Sequence, residues 1–162
     1  MSTVPDPRLI LREEELDAAL ELLFLAEAAL WSTADAALDG EPRDLGRSHY
    51  RTLFLLKRRP GLGVQELARL TALTKQGASR TLGELERMGL AAKSPGGVDA
   101  RRRPAVLTRD GAAVEARISE RLRANVARAY RAGGLDSVAG ARKILSALAG
   151  GRLQVGRPEP DA

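Results

Sequence analysis

Cysteine is absent from these 162 residues, which excludes disulfide frameworks, cysteine-based zinc sites and thiol redox sensing. Histidine occurs once, as His49, and with no second histidine or cysteine nearby in sequence a metal site lacks ligands; no metal and no cofactor is expected. No apolar run reaches the roughly 18 residues of a membrane span, and Met1 to Pro7 lacks the basic-then-apolar order of a secretory signal. A cytoplasmic protein without membrane contact is the expectation. There is also no Gly-rich phosphate loop and no Ser/His/Asp or Cys/His arrangement with supporting context, so an enzyme is not expected. Glu13, Glu14 and Glu15 form a charge run at a helix start, where complementing the helix dipole is role enough. No internal repeat or low-complexity block is visible.

What is present bounds the answer further. A hydrophobic content of 44% over this length supports one well-buried core and not two large domains. The net charge of +5 and pI of about 10.2 suit a polyanionic partner, although a bland basic protein would share them. Distribution says more. Residues 75 to 109 hold eight Lys or Arg (75, 80, 87, 93, 101, 102, 103 and 109) against three acids (84, 86 and 99), so the whole excess of +5 resides in this segment.

Leu9 to Leu38 contains neither Pro nor Gly, and Leu16, Leu20 and Leu23 recur at helical spacing, with Leu22, Phe24, Leu25, Leu30 and Trp31 widening the apolar face. The pattern predicts a long helix, apolar around much of its circumference. Gly40 and Pro42 end it, and Asp44 can cap a second helix in which His49, Leu53 and Leu56 fall at i, i+4 and i+7 before Pro60-Gly61 stops it. A short third helix, Val64 to Leu70, turns Leu67 inward. The fourth has the clearest start, with Thr74 as N-cap and Gly89 at a left-handed C′ position. At 100° per residue, Ala78, Thr81, Leu82, Leu85 and Met88 gather on one side and Gln76, Ser79, Arg80, Gly83 and Arg87 on the other.

Leu90 to Ser94 and Pro104 to Leu107 read as short strands joined by Pro95-Gly96-Gly97-Val98-Asp99, a loop with turn chemistry. Thr108 caps a fifth helix carrying Val114, Ile118, Leu122 and Val126, which Gly133-Gly134 breaks. A sixth, Leu135 to Ala149, turns Val138, Ala141, Leu145 and Leu148 inward. The fold class is therefore mainly α with a small β-hairpin wing, a winged helix-turn-helix. Residues 1–8 and 151–162 are expected to be disordered ends of a single domain spanning 9–150.

That order answers the demands of duplex DNA. A recognition helix entering a major groove about 12 Å wide presents short or flexible polar residues, and Thr74, Lys75, Gln76, Ser79 and Arg80 supply them: Gln for adenine, Arg for guanine, Ser for a base or phosphate. Gly83 on the same face costs the helix roughly 0.8 to 1 kcal/mol relative to Ala, which close backbone approach to a partner would justify. Taken alone, this polar stripe is equally compatible with a solvated helix face. On an extended hairpin tip, Asp99 and Arg101 point the same way, so Asp99 can fix the Arg101 guanidinium for entry into a minor groove. In isolation Asp99-x-Arg101 reads better as a turn aspartate beside a solvated basic run. A hairpin tip directly after a helix-turn-helix reverses that preference.

From Pro60 to Leu107 the chain resembles the MarR family of winged-helix transcriptional regulators, through Arg59-Pro60-Gly61-Leu62, Val64-Gln65-Glu66-Leu67-Ala68, Thr74-Lys75-Gln76 and Asp99-Ala100-Arg101-Arg102-Arg103. Leu107-Thr108-Arg109-Asp110-Gly111 matches the family's Leu-Thr-x-x-Gly start of its long fifth helix. The resemblance implies an obligate homodimer, with N- and C-terminal dimerisation helices in 9–43 and 108–150 and the winged helix-turn-helix in 44–107. The apolar excess of the first helix argues the same way, since one small domain cannot cover it. Twofold symmetry would set recognition helices about 34 to 36 Å apart on a palindromic operator. The resemblance also implies a small aromatic or anionic effector, for which Trp31, His49, Tyr50 and Arg51 are the pocket candidates; core packing is the plainer role for Trp31 and Tyr50, and a satisfied buried site for His49. Gly63 departs from the family by standing where Ser or Thr would cap the third helix, and Gly77 and Gly83 loosen the recognition helix.

The functional expectation is a homodimeric, sequence-specific regulator of MarR type, a ligand-responsive repressor. In it Lys75, Arg102 and Arg103 neutralise phosphates while Gln76, Ser79, Arg80 and Arg101 discriminate bases. The competing reading is a winged-helix module for protein contact or non-specific DNA packaging, which has no need of a fixed Asp99-Arg101 pair.

Overall fold

The computed structural model of the protein describes residues 10–94 and 104–150. Helix α1, Glu13–Leu38, is followed by α2, Arg47–Arg58, α3, Val64–Thr71, and α4, Lys75–Arg87. The strands β1, Ala91–Lys93, and β2, Ala105–Leu107, precede the long α5, Arg109–Ala149. The mainly helical architecture with a two-stranded wing stem is the one the sequence predicts.

Local chemistry sets the helix starts. Arg12 is extended, and Glu15 turns back to accept its backbone N–H at 3.2 Å, so α1 begins at Glu13 and Ile10 to Arg12 are not helical. The expected start at Leu9 is corrected accordingly. Asp44 does not cap α2: Leu45 is drawn into the core, the chain stays non-helical past it, and Gly46 becomes the N-cap. Its N–H is satisfied from inside the helix, by Nδ1 of His49 at 2.9 Å. α3 repeats the device, with Glu66 accepting the N–H of the capless Gly63 at 3.0 Å. Thr74 and Thr108 act as the expected caps, each accepting the amide three residues on, from Gly77 and Gly111, at 3.0 Å.

α2, α3 and α4 enclose Leu53, Leu56, Leu67, Ala78 and Leu85, and the first turns of α5 add Val114 and Ile118. Each buried leucine contributes on the order of 1.5–3 kcal/mol. The strands pair antiparallel with Ala91 opposite Leu107 and Lys93 opposite Ala105, closing the core through Leu90, Ala91 and Ala105. The C-terminal half of α1 joins it through Trp31, Ala34, Ala37 and Leu38.

Two surfaces stay open. Leu16, Leu20, Leu22, Leu23, Phe24 and Leu25 on α1 are exposed. In α5 the helix breaks at Gly134, which takes φ +78°, and beyond it Leu145 and Leu148 are 51% and 62% exposed. The expectation that these two point inward is corrected: among the described residues both stay more than half exposed. Val138 and Ala141 are half-buried. The ends expected to be disordered, 1–8 and 151–162, lie outside the described residues.

Candidate nucleic-acid interface

Helix α4 is seated by Ala78, Thr81 and Leu85, all buried, and by the half-buried Leu82 and Met88. Its opposite face shows Lys75, Gln76, Ser79, Arg80 and Arg87 to solvent. Thr74 is also exposed, its hydroxyl oxygen holding the first turn. The candidates on α4 thus share one open face. Asp99, Arg101, Arg102 and Arg103, the expected wing contacts, lie outside the described residues; the wing stem is fixed by β1 and β2, with Ser94 donating to the Pro104 carbonyl at 2.9 Å.

A carboxylate that the sequence reading passed over organises this face. Glu84 Oε1 accepts from Arg80 Nε at 3.0 Å and stands 3.9 Å from Arg87 Nη2, while its Oε2 meets His49 Nε2 at 2.9 Å. The hydrogen bond from Arg80, and then that from His49, hold the Glu84 carboxyl below the usual carboxylate range against the opposing effect of burial. The i, i+4 spacing of Arg80 and Glu84 was the available signal. Its partner on α2, 35 positions away, left none.

The four residues singled out for a pocket separate into two places. Trp31 and Arg51 line a cleft of about 310 Å³ together with Glu27, Arg47, Ser48, Thr71 and Leu73, between α1, the first turns of α2 and the α3–α4 turn. Two guanidinium groups lie over the Trp31 ring, Arg51 at 4.5 Å and Arg47 at 5.2 Å from its centroid. Arg47 is bound to Asp35 through Nε at 2.8 Å and Nη2 at 2.5 Å, which raises the arginine's pKa and lowers the aspartate's. Among the described residues the hydrogen bonding of Arg51 is a long 3.4 Å contact to the Thr71 carbonyl, so its charge is less committed than that of Arg47.

His49 and Tyr50 lie elsewhere. His49 faces Glu84, and its acceptance of the Gly46 N–H on Nδ1 leaves the ring proton on Nε2, donating to the carboxylate. Tyr50 is buried and bonds to Ser119 Oγ at 2.9 Å. Ser119 donates in turn to Glu115 Oε1 at 2.5 Å, and Lys57 Nζ lies 2.6 Å from the other oxygen. Burial, its largest influence, pushes the Tyr50 phenol up. This chain of contacts ties α2 to α5. Among the described residues no group of three or more His, Asp or Glu side chains is placed to hold a metal, and no helix is long and apolar enough to cross a membrane.

Comparison with known proteins agrees with this geometry. The profile of the MarR family matches residues 43–102. The HTH-type transcriptional regulator PetP of Rhodobacter capsulatus is 37% identical over 140 residues, 86% of this chain and 83% of that protein. Among solved structures, the Mycobacterium tuberculosis MarR family protein Rv2887 in complex with DNA superposes with a TM-score of 0.58 at 30% identity, covering 79% of this chain and 94% of its own. The same protein in complex with salicylic acid gives a TM-score of 0.59 at 31% identity, covering 78% and 93%.

Proposed function

Because the chain belongs to the MarR family of DNA-binding transcriptional regulators, we propose that it works in the cytoplasm as a homodimeric repressor of a palindromic operator, released by a small-molecule effector. The observation that carries this reading is the division of α4, whose buried Ala78, Thr81 and Leu85 seat it while Lys75, Gln76, Ser79 and Arg80 are exposed on the opposite face. Residues 44–107 would read DNA, with Arg101 at the wing entering the minor groove and Arg102 and Arg103 meeting phosphates. Residues 9–43 and 108–150 would join two copies, covering the exposed leucines of α1 and of the last limb of α5.

The cleft supports the effector part of the proposal. A small aromatic carboxylate suits the cleft beside Trp31, its carboxylate meeting Arg51, the guanidinium group that Asp35 does not hold. The cleft's arginines stand on the first turns of α2, against which α4 leans through His49 and Glu84. A ligand preferring one arrangement of α2 would therefore bias the two reading heads, and it can do so only through unequal affinity for the two states.

Competition binding tests the proposal. A palindromic duplex is expected to be preferred over bulk DNA by roughly a thousandfold or more. Equal affinity for both would favour a packaging or protein-contact module instead.

A further inference from the structure

Glu84 stands one turn beyond Arg80 on α4, and its two oxygens serve different elements: Oε1 faces Arg80 and Arg87 on its own helix, Oε2 faces His49 on α2. His49 is itself fixed, since its other nitrogen takes the Gly46 amide at the start of α2. The carboxylate is thus held from behind by a neighbouring helix and cannot follow a mobile arginine. Arg80 by contrast is 82% exposed along its side chain.

Which nitrogen Glu84 engages decides what Arg80 can do. It accepts the Nε–H, and among the described residues no hydrogen bond or ion pair occupies the two terminal nitrogens. Those form the fork that pairs with O6 and N7 of a guanine. An unrestrained arginine surrenders its rotamer freedom on binding; one tied at Nε has surrendered much of it beforehand.

We infer that Glu84, braced by His49, is a positioning residue for base reading: it aims the terminal fork of Arg80 out of the helix face and so gives the protein a preference for guanine at one step of each half-site. This rests on the DNA-reading function proposed above. Glu84 acts through Arg80 and need touch no base. Its negative charge, facing phosphates, is offset by Arg80 and Arg87.

The test begins with duplexes enriched by the wild-type protein from a randomised pool. Affinities are then measured for the enriched duplex, for each of its single base-pair variants and for random DNA, with wild type, Glu84→Ala, Glu84→Asp, Arg80→Ala and the Glu84→Ala/Arg80→Ala double variant. Glu84→Ala is expected to weaken the enriched duplex about tenfold and random DNA by no more than about twofold. The loss falls on the same guanine that Arg80→Ala ceases to read, and the double variant is no worse than Arg80→Ala alone. Glu84→Asp keeps the charge but is too short to span His49 and Arg80, so it is expected to lose the same preference; it also decides the matter should Glu84→Ala fail to fold. Full retention of the guanine preference in either Glu84 variant, equal losses on both DNAs, or additive effects of the two alanines would overturn the inference. If the wild type enriches no sequence at all, the DNA-reading function falls and this inference with it, a result distinct from an enriched duplex that the Glu84 variants read unchanged.

Discussion

Gly111 packs its backbone directly on Leu90: a Cβ at residue 111 would overlap the Leu90 carbonyl oxygen and stand 2.8 Å from the carbonyl carbon. The same carbonyl accepts the N–H of Thr108 at 3.1 Å, while the Thr108 hydroxyl donates to Gly89 at 2.7 Å. The start of α5 is thereby locked to the turn that leaves α4. Because the obstacle is backbone and not a side-chain tip, Gly111→Ala is expected to destabilise the fold by about 3 kcal/mol. Urea unfolding followed by circular dichroism measures it, and an unchanged midpoint would show that the two segments separate more easily than their packing implies.

The exposed leucines of α1 and α5 predict that stability depends on protein concentration. Leu145→Asp, which places a charge within the proposed dimer surface, is expected to yield monomers in sedimentation and to abolish retardation of a palindromic duplex. A variant that still sediments as the wild type does would remove α5 from the interface.

On the open face of α4, Arg80→Ala is expected to cost about 1 to 3 kcal/mol on the proposed operator and distinctly less on random DNA. Lys75→Ala, if it removes a phosphate contact, lowers both alike and reduces the salt dependence by about one unit of slope. Fluorescence anisotropy over a salt series separates the two; equal losses for Arg80→Ala on both DNAs would deny it a base-reading role.

The cleft predicts stabilisation by a small aromatic carboxylate. Salicylate, used as the probe at about a hundred times its dissociation constant, would stabilise the protein by about 2.7 kcal/mol, visible as a raised melting temperature. Arg51→Ala is expected to lose most of that rise, since Arg51 lies 4.5 Å over Trp31 with its charge less committed than that of Arg47. An equal rise in the variant would place the ligand elsewhere.

Acid should loosen the join between α5 and the loop after α1. Arg117 grips the Glu41 carboxylate through Nε at 2.9 Å and Nη2 at 2.7 Å, and this hydrogen bonding, opposed by burial, holds the Glu41 carboxyl below its ordinary range. A carboxyl whose folded pKa is depressed stabilises fully above the unfolded value, near 4.3 for glutamate, and ceases to do so as pH falls through the folded value. The urea midpoint is therefore expected to fall below about pH 4.5, and Glu41→Gln to flatten part of that fall. A variant with the wild-type pH profile would assign the acid transition to other carboxylates, Asp35 among them.

Sequence alone determined what is settled within about one helical turn. Thr74 and Thr108 cap their helices because each hydroxyl needs only an amide three residues away. The two faces of α4 follow from its 100° period, and the break in α5 from a glycine free to take φ +78°. Tertiary structure decided the rest. Asp44 had the right chemistry for a cap, but burial of Leu45 carried the helix start on to Gly46. The cleft draws Glu27 and Trp31 from α1, Arg47, Ser48 and Arg51 from α2, Thr71 from the end of α3 and Leu73 from the turn before α4, while His49 and Tyr50, just before Arg51 in sequence, look toward Glu84 and Ser119 instead. Neighbours on one helix point about 100° apart, and which direction meets which partner is fixed only when helices dock. The apolar pattern of Leu145 and Leu148 likewise declared that they seek cover; only the folded chain showed that both stay more than half exposed among its described residues.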